Sequence, residues 1–118
     1  MTIQNLLLTL ACVAAIAGGQ VLFKLGALAS NAAPAGASLL ERYANGWLLA
    51  ALVVYAGATL LWVWVLKVVP LGIAYPFVGL AFVIVPLLAA LFLGEALSWR
   101  PLAGGVVIAA GIWIAQSG

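Results

Sequence analysis

Residues 71–93 read LGIAYPFVGLAFVIVPLLAALFL, a run of apolar side chains without one Asp, Glu, Lys or Arg. A helix that crosses a hydrocarbon core needs about 20 such residues. Outward from this run the chain repeats the theme. Ile3 to Ala29, Gly46 to Val68 and Pro101 to Gln116 are also apolar, and the breaks between them are short. Over all 118 residues there are four Lys or Arg and two Asp or Glu, while hydrophobic residues make up 69%. The mean hydropathy is +1.36. A soluble domain carries roughly a quarter of its residues as charges, so lipid is the solvent expected here. A β-barrel is disfavoured because its strands are short and alternate apolar with polar residues. The composition predicts an all-α membrane protein: a four-transmembrane-helix bundle over residues 1–118, with helices at about 3–29, 46–68, 71–93 and 101–116. No soluble domain fits.

Local signals set the borders. Ser30 to Asn45 is the one real loop, within which Leu39 to Tyr43 suit an interfacial turn. Pro70 allows a tight connection, and Gly94 to Arg100 form a short polar turn. Pro101 suits the first position of a helix. Trp47, Trp99 and Trp113 lie near predicted ends, where indoles favour the headgroup region. The first residues lack a basic stretch, so the first helix is expected to be retained and not cleaved. Cys12 is the lone cysteine and reads as a small apolar helix residue. Ala11, Ala15 and Gly19 recur every four residues, as do Gly105 with Ala109 and Gly111 with Ala115, a spacing that lets backbones approach. On the last helix it serves dimerisation or intramolecular packing. The third helix holds Pro76 and Pro86 with Gly72 and Gly79 nearby, which predicts either a bending, cavity-lining element or a static kink. Lys24, Arg42 and Arg100 fall on the side of loops 1 and 3, and Lys67 and the terminal amine on the other. That bias mildly places loops 1 and 3 in the cytoplasm.

Few residues can carry chemistry. Lys24 sits inside an apolar run with Gln20 four positions earlier on the same helical face. A buried ammonium beside an amide can hold an anion such as a phosphate; the other reading is that Lys24 snorkels to the interface. Glu95 pairs with Arg100, caps its turn or faces a cationic group of a substrate. Tyr75 brings a hydroxyl that needs a partner. Glu41, Arg42 and Lys67 read as boundary residues. With no histidine, no metal-ligand cluster, no nucleophile–base pair and no phosphate-cradling glycine motif, the chain is not expected to be an enzyme or to hold a cofactor. It also lacks the basic cluster that nucleic acid requires, and no carboxylate lies deep in a helix.

The stretch Leu66-Lys-Val-Val-Pro-Leu-Gly-Ile-Ala-Tyr-Pro76, then Leu91-Phe-Leu-Gly-Glu-Ala-Leu97 and the glycine-rich last helix, resemble the drug/metabolite transporter superfamily. The length and the Gln20/Lys24 stretch narrow the resemblance to its small four-helix members. One branch is the small multidrug resistance transporters, which are antiparallel dimers. The other is the paired flippase subunits for aminoarabinose-linked undecaprenyl phosphate. The multidrug branch carries a glutamate eight positions before the lysine and a tryptophan three after the tyrosine. This chain has Ile16 and Val78 there. Gly19-Gln20 before the lysine and Tyr75-Pro76 are more similar to the flippase branch. The resemblance implies a multi-pass protein of the bacterial inner membrane that works as a homodimer, or as a heterodimer with a related small subunit. It would translocate a polyprenyl-phosphate-linked sugar. Lys24 and Arg100 would attract the phosphate, and Gln20, Tyr75 and Glu95 would contact the sugar or its amine. The alternatives are a small-molecule or multidrug exporter of the same fold and a non-transporting accessory subunit of a membrane complex.

Overall fold

The computed structural model describes residues 2–117; Met1, whose amine enters the charge count, lies outside them. Every regular element among these residues is helical: α1 (Ile3–Asn31), α2 (Leu39–Tyr43), α3 (Gly46–Leu66), α4 (Leu71–Ala74), a 3₁₀ segment (Tyr75–Leu80), α5 (Ala81–Leu93) and α6 (Trp99–Ser117). Side chains start three of the helices. Thr2 Oγ1 accepts from the Asn5 amide at 3.1 Å, Ser38 Oγ from Glu41 at 3.1 Å, and Asn45 Oδ1 from Leu48 at 3.0 Å. Each satisfies an amide that the first turn leaves without an acceptor. Gly94 ends α5 at φ 67°, the left-handed conformation that glycine adopts without penalty.

Ile3–Asn31, Gly46–Val68 and Leu71–Leu93 are long and apolar enough to cross a membrane. The helix α6 is 19 residues long, and Trp99-Arg100-Pro101 at one end and Gln116-Ser117 at the other shorten its apolar part. The first helix runs two residues past the expected Ala29, because Ser30 Oγ donates to the Ala27 carbonyl at 2.7 Å and the Ala32 amide still reaches Leu28 O at 3.1 Å. The expected interfacial turn at Leu39–Tyr43 is α2. The last helix begins at Trp99, two residues before Pro101. Proline is tolerated there because no first-turn amide has an intrahelical partner. The third predicted helix is not one α-helix: its N-terminal half tightens to 3₁₀ geometry from Tyr75 to Leu80.

Helix α1 is the centre. It packs along α3 on one side and α5 on the other, while α6 packs against the 3₁₀ segment and α5. The α1–α3 seam is close. A Cβ at Gly26 would collide with the Leu48 side chain and come within 3.1 Å of its amide nitrogen. Cys12 is buried in this seam, its Sγ 3.4 Å from the Ala58 carbonyl. Arg42 does more than mark a boundary. Its guanidinium donates to the carbonyls of Ser30 at 2.8 Å and Pro34 at 3.2 Å, tying loop 1 to the end of α1, where the helix dipole favours a cation.

The interior is small. Val13, Phe77 and Ile112 form one buried cluster, and Val65, Val69 and Ala74 another. Large side chains such as Leu60, Leu91, Val107 and Ile114 point outward and are at least 70% exposed. Such a surface suits lipid or a second subunit, not water. The Cα positions span 56 × 35 × 18 Å, a slab rather than a closed bundle.

Candidate functional site

Ile16, Gln20 and Lys24 recur at four-residue spacing and so line one face of α1. This face borders three hollows that share residues. The first, about 350 Å³, lies between α1 and α5 and is lined by Gln20, Lys24, Pro86, Ala89 and, from the loop after α5, Glu95. Lys24 lies about 10 Å along the axis from the C-terminal end of α1. Its neighbours Glu95 and Pro101 belong to the turn region, so the ammonium stands at the mouth of a cleft. Gln20, Lys24 and Glu95 are all exposed. The hydroxyls of Thr9, Ser30 and Thr59 are occupied by backbone, donating to Asn5 O, Ala27 O and Tyr55 O.

The second hollow, about 250 Å³, lies where α1, α3 and the 3₁₀ segment meet. Gln20 lines it too, with Ile16, Tyr55, Thr59, Trp62, Tyr75 and Val78. Trp62 and Tyr75 meet edge to face, 6.4 Å between ring centres at 65°, a geometry favoured by the ring quadrupoles. The Tyr55 ring rests edge-on against Phe23 at 6.2 Å. The third hollow is an apolar groove of about 450 Å³ between the other two, bounded by Ile16, Gln20, Val78, Phe82, Val85 and Pro86. Pro86 lies inside α5 and lines both this groove and the Lys24 cleft; it cannot donate to the carbonyl four residues earlier.

The structure thus brings Gln20, Lys24 and Glu95 into one cleft and places Tyr75 in the adjoining cavity, which Gln20 also lines. Arg100 does not line any of the three hollows. Its guanidinium lies over the Trp99 ring, 5.6 Å from the centre, where an exposed cation gains from the ring face. Glu95 and Arg100 therefore go different ways. Ile16 and Val78 both line the aromatic cavity, whose walls carry no carboxylate. Sequence reading missed Tyr55, Thr59 and Trp62. Their spacing of four and then three residues puts them on one face of α3 and was the available signal.

The chain matches the EamA-like transporter family model over residues 5–116. It is 43% identical over 94 residues to a protein of Sodalis glossinidius named a probable 4-amino-4-deoxy-L-arabinose-phosphoundecaprenol flippase subunit, ArnE, covering 80% of each chain. A protein of Aeromonas salmonicida with the same name is 32% identical over 107 residues, covering 89% of this chain and 91% of that one. One of Pectobacterium atrosepticum, also so named, is 38% identical over 76 residues, 64% of this chain and 67% of the relative. No solved structure gave a significant match. A family match across nearly the whole length, on an apolar helical chain, leads to one conclusion: this chain belongs to the EamA-like transporter family.

Proposed function

We propose that this protein is a subunit of a bacterial inner-membrane flippase that translocates a polyprenyl-phosphate-linked aminosugar. The observation that carries the reading is that Lys24 and Glu95 both line one cleft, which adjoins an aromatic cavity through Gln20. A phosphate needs a cation, and the amine of an aminosugar needs an anion; this lining offers both. Aromatic side chains with hydroxyls suit a sugar, which presents both CH faces and hydroxyl groups. The polyprenyl chain needs no protein path, since it stays in the bilayer. Three relatives bearing the flippase-subunit name support the same reading.

In this reading α6 is the fourth crossing, because 19 residues rise about 28 Å, close to the hydrocarbon thickness. The working unit is at least a dimer. A slab 18 Å thin leaves the Lys24 cleft open on one side, and a second small subunit, identical or related, closes it. Lys24 recruits the phosphate at the loop 1 and loop 3 side, and Glu95 meets the amine. Gln20 hands the headgroup toward Tyr55, Trp62 and Tyr75. Arg100, which does not line the cleft, acts earlier by attracting the anionic headgroup to that surface. A multidrug exporter would want a carboxylate where Ile16 stands, and an accessory subunit would have no use for a charged cleft.

Lys24→Met tests the reading. Proteoliposomes carrying the protein, with a related small subunit if one co-purifies, are loaded with the lipid-linked aminosugar. Translocation is followed by reaction of the amine with a membrane-impermeant reagent. Lys24→Met is expected to fold and insert normally and to lose translocation by about tenfold or more, the equivalent of one charge-assisted contact. Lys24→Arg should retain part of the rate, since charge stays and geometry changes. Wild-type translocation by Lys24→Met would overturn the assignment.

A further inference from the structure

The Gln116 side chain lies at the far end of α6, away from the Lys24 cleft, yet it makes a contact across 43 residues of sequence: its Nε2 donates to the carbonyl of Ile73 at 3.0 Å. That carbonyl is special. The 3₁₀ segment starts at Tyr75, and in 3₁₀ pairing the carbonyl of residue i takes its proton from residue i+3. Ile73 itself lies in α4, where its carbonyl would take the amide of Phe77; the 3₁₀ segment, capped by Ala74, draws that amide to Ala74 instead, and three residues on from Ile73 stands Pro76, which has no N–H to give. A backbone carbonyl opened inside or beside lipid must find a donor in another element. Gln116 provides that donor from α6.

The surroundings make this bond matter. A crevice of about 420 Å³ lined by Asn5, Pro70 and Ile73 lies beside α4, and one of about 360 Å³ lined by Leu6, Phe77 and Gln116 lies beside the 3₁₀ segment. The fixed points between them are few. Phe77 is buried against Val13 and Ile112, and Gly79 lies so close to α6 that a Cβ would come within 3.1 Å of Ile108 Cγ2. Tyr75 and Val78, which line the aromatic cavity, ride on the same segment.

We infer that Gln116 is a positioning residue: by clasping the Ile73 carbonyl it holds the Tyr75–Leu80 segment in its 3₁₀ form and so sets where Tyr75 and Val78 stand in the cavity. The consequence for transport rests on the proposed function; the clasp itself does not. Three full-length variants in lipid nanodiscs decide it. Gln116→Leu keeps bulk and removes the donor. Gln116→Lys keeps a donor. Gln116→Leu combined with Pro76→Ala restores an amide at position 76. Hydrogen exchange of the Phe77–Leu80 amides should speed up about tenfold in Gln116→Leu, the effect of losing one structural hydrogen bond. It should stay near wild type in the other two variants. In fluorotyrosine-labelled protein, which has three tyrosines, the Tyr75 signal should shift in Gln116→Leu while that of Tyr43 does not. Half-saturation for the lipid-linked sugar should rise about fivefold with little change in maximal rate, as expected when one contact is misplaced. Unchanged exchange at 77–80, or equal acceleration in every helix, would overturn the clasp. An unmoved Tyr75 signal would overturn the positioning role. If wild-type protein translocates no sugar lipid, the substrate reading fails, and exchange and the Tyr75 signal still decide the inference.

Discussion

The α1–α3 half and the α4–α6 half of this protein are built from the same apolar alphabet and differ in how their helices are held. Between α1 and α3 the helices are unbroken and the seam is tight. Gly26 admits the Leu48 side chain, Gly19 lies 3.7 Å (as a built Cβ) from Val54 Cγ1, and Asn45 Nδ2 donates to the Gly26 carbonyl at 3.2 Å. On the other side a proline and a 3₁₀ stretch interrupt the third span, and crevices flank it. The contrast teaches a division of labour. The unbroken pair presents Gln20, Lys24 and Trp62, while the interrupted span presents Tyr75 and Val78, although that half is also close-packed where a Cβ at Gly105 would come within 2.7 Å of Val83 Cγ2. The difference lies in the backbone: a continuous α-helix resists bending, whereas one interrupted by proline and 3₁₀ turns has a place to bend.

The comparison breaks most readily at Gly26. Gly26→Val forces a branched side chain into Leu48 and its backbone, and overpacking of this kind costs about 3 kcal/mol. Denaturation in mixed micelles should show that loss, and the partly unfolded form should lose the α1–α3 seam first. Resistance equal to wild type would mean that the seam opens to accept the added side chain. A middle-sized effect is expected at Trp62, where the two halves meet. Trp62→Leu removes the ring that abuts Tyr75, an aromatic contact worth about 1 kcal/mol. Stability should fall by about that 1 kcal/mol, and affinity for the sugar-bearing headgroup, measured by titration in nanodiscs, should fall about fivefold because Trp62 and Tyr75 line the same cavity. The smallest effect belongs to Gly18. A Cβ there meets nothing within 4 Å, so Gly18→Ala should alter stability by less than about 1 kcal/mol, and in the stabilising direction if helix propensity dominates. A large loss would reveal a partner helix packed on that face.

Much of the fold was legible because a membrane imposes one demand above others. Backbone groups in lipid must pair within their own segment, so long apolar runs become helices. Turn and border residues such as Ser38, Asn45 and Gly94 then carry recognisable cap chemistry. The 3₁₀ stretch was only half legible. Pro76 announced an irregularity, but proline also permits a static kink in an α-helix, and no local rule selects between them. Lys24 and Gln20 could be named from spacing alone. Tyr55, Thr59 and Trp62 share a face of α3 by spacing too, but an apolar helix in lipid has no polar face to contrast with, so nothing local says that this face turns inward.

The sequence by itself determined the solvent, the helical class, the approximate spans, the family and the pair Gln20–Lys24, all of which follow from hydropathy, four-residue spacing and short motifs. Tertiary structure decided which charges share a space. It put Glu95 into the Lys24 cleft and turned Arg100 onto Trp99, although the two residues lie close together in the chain. It also gave the Ile73 carbonyl its partner in Gln116. The physical reason is the same for Glu95 and for Gln116. Partition into lipid depends on composition summed along a segment, which sequence records directly, whereas an ion pair or a hydrogen bond between helices depends on their relative rotation. That rotation is set by side-chain packing across seams such as Gly26–Leu48 and Gly79–Ile108, and only the assembled helices fix it.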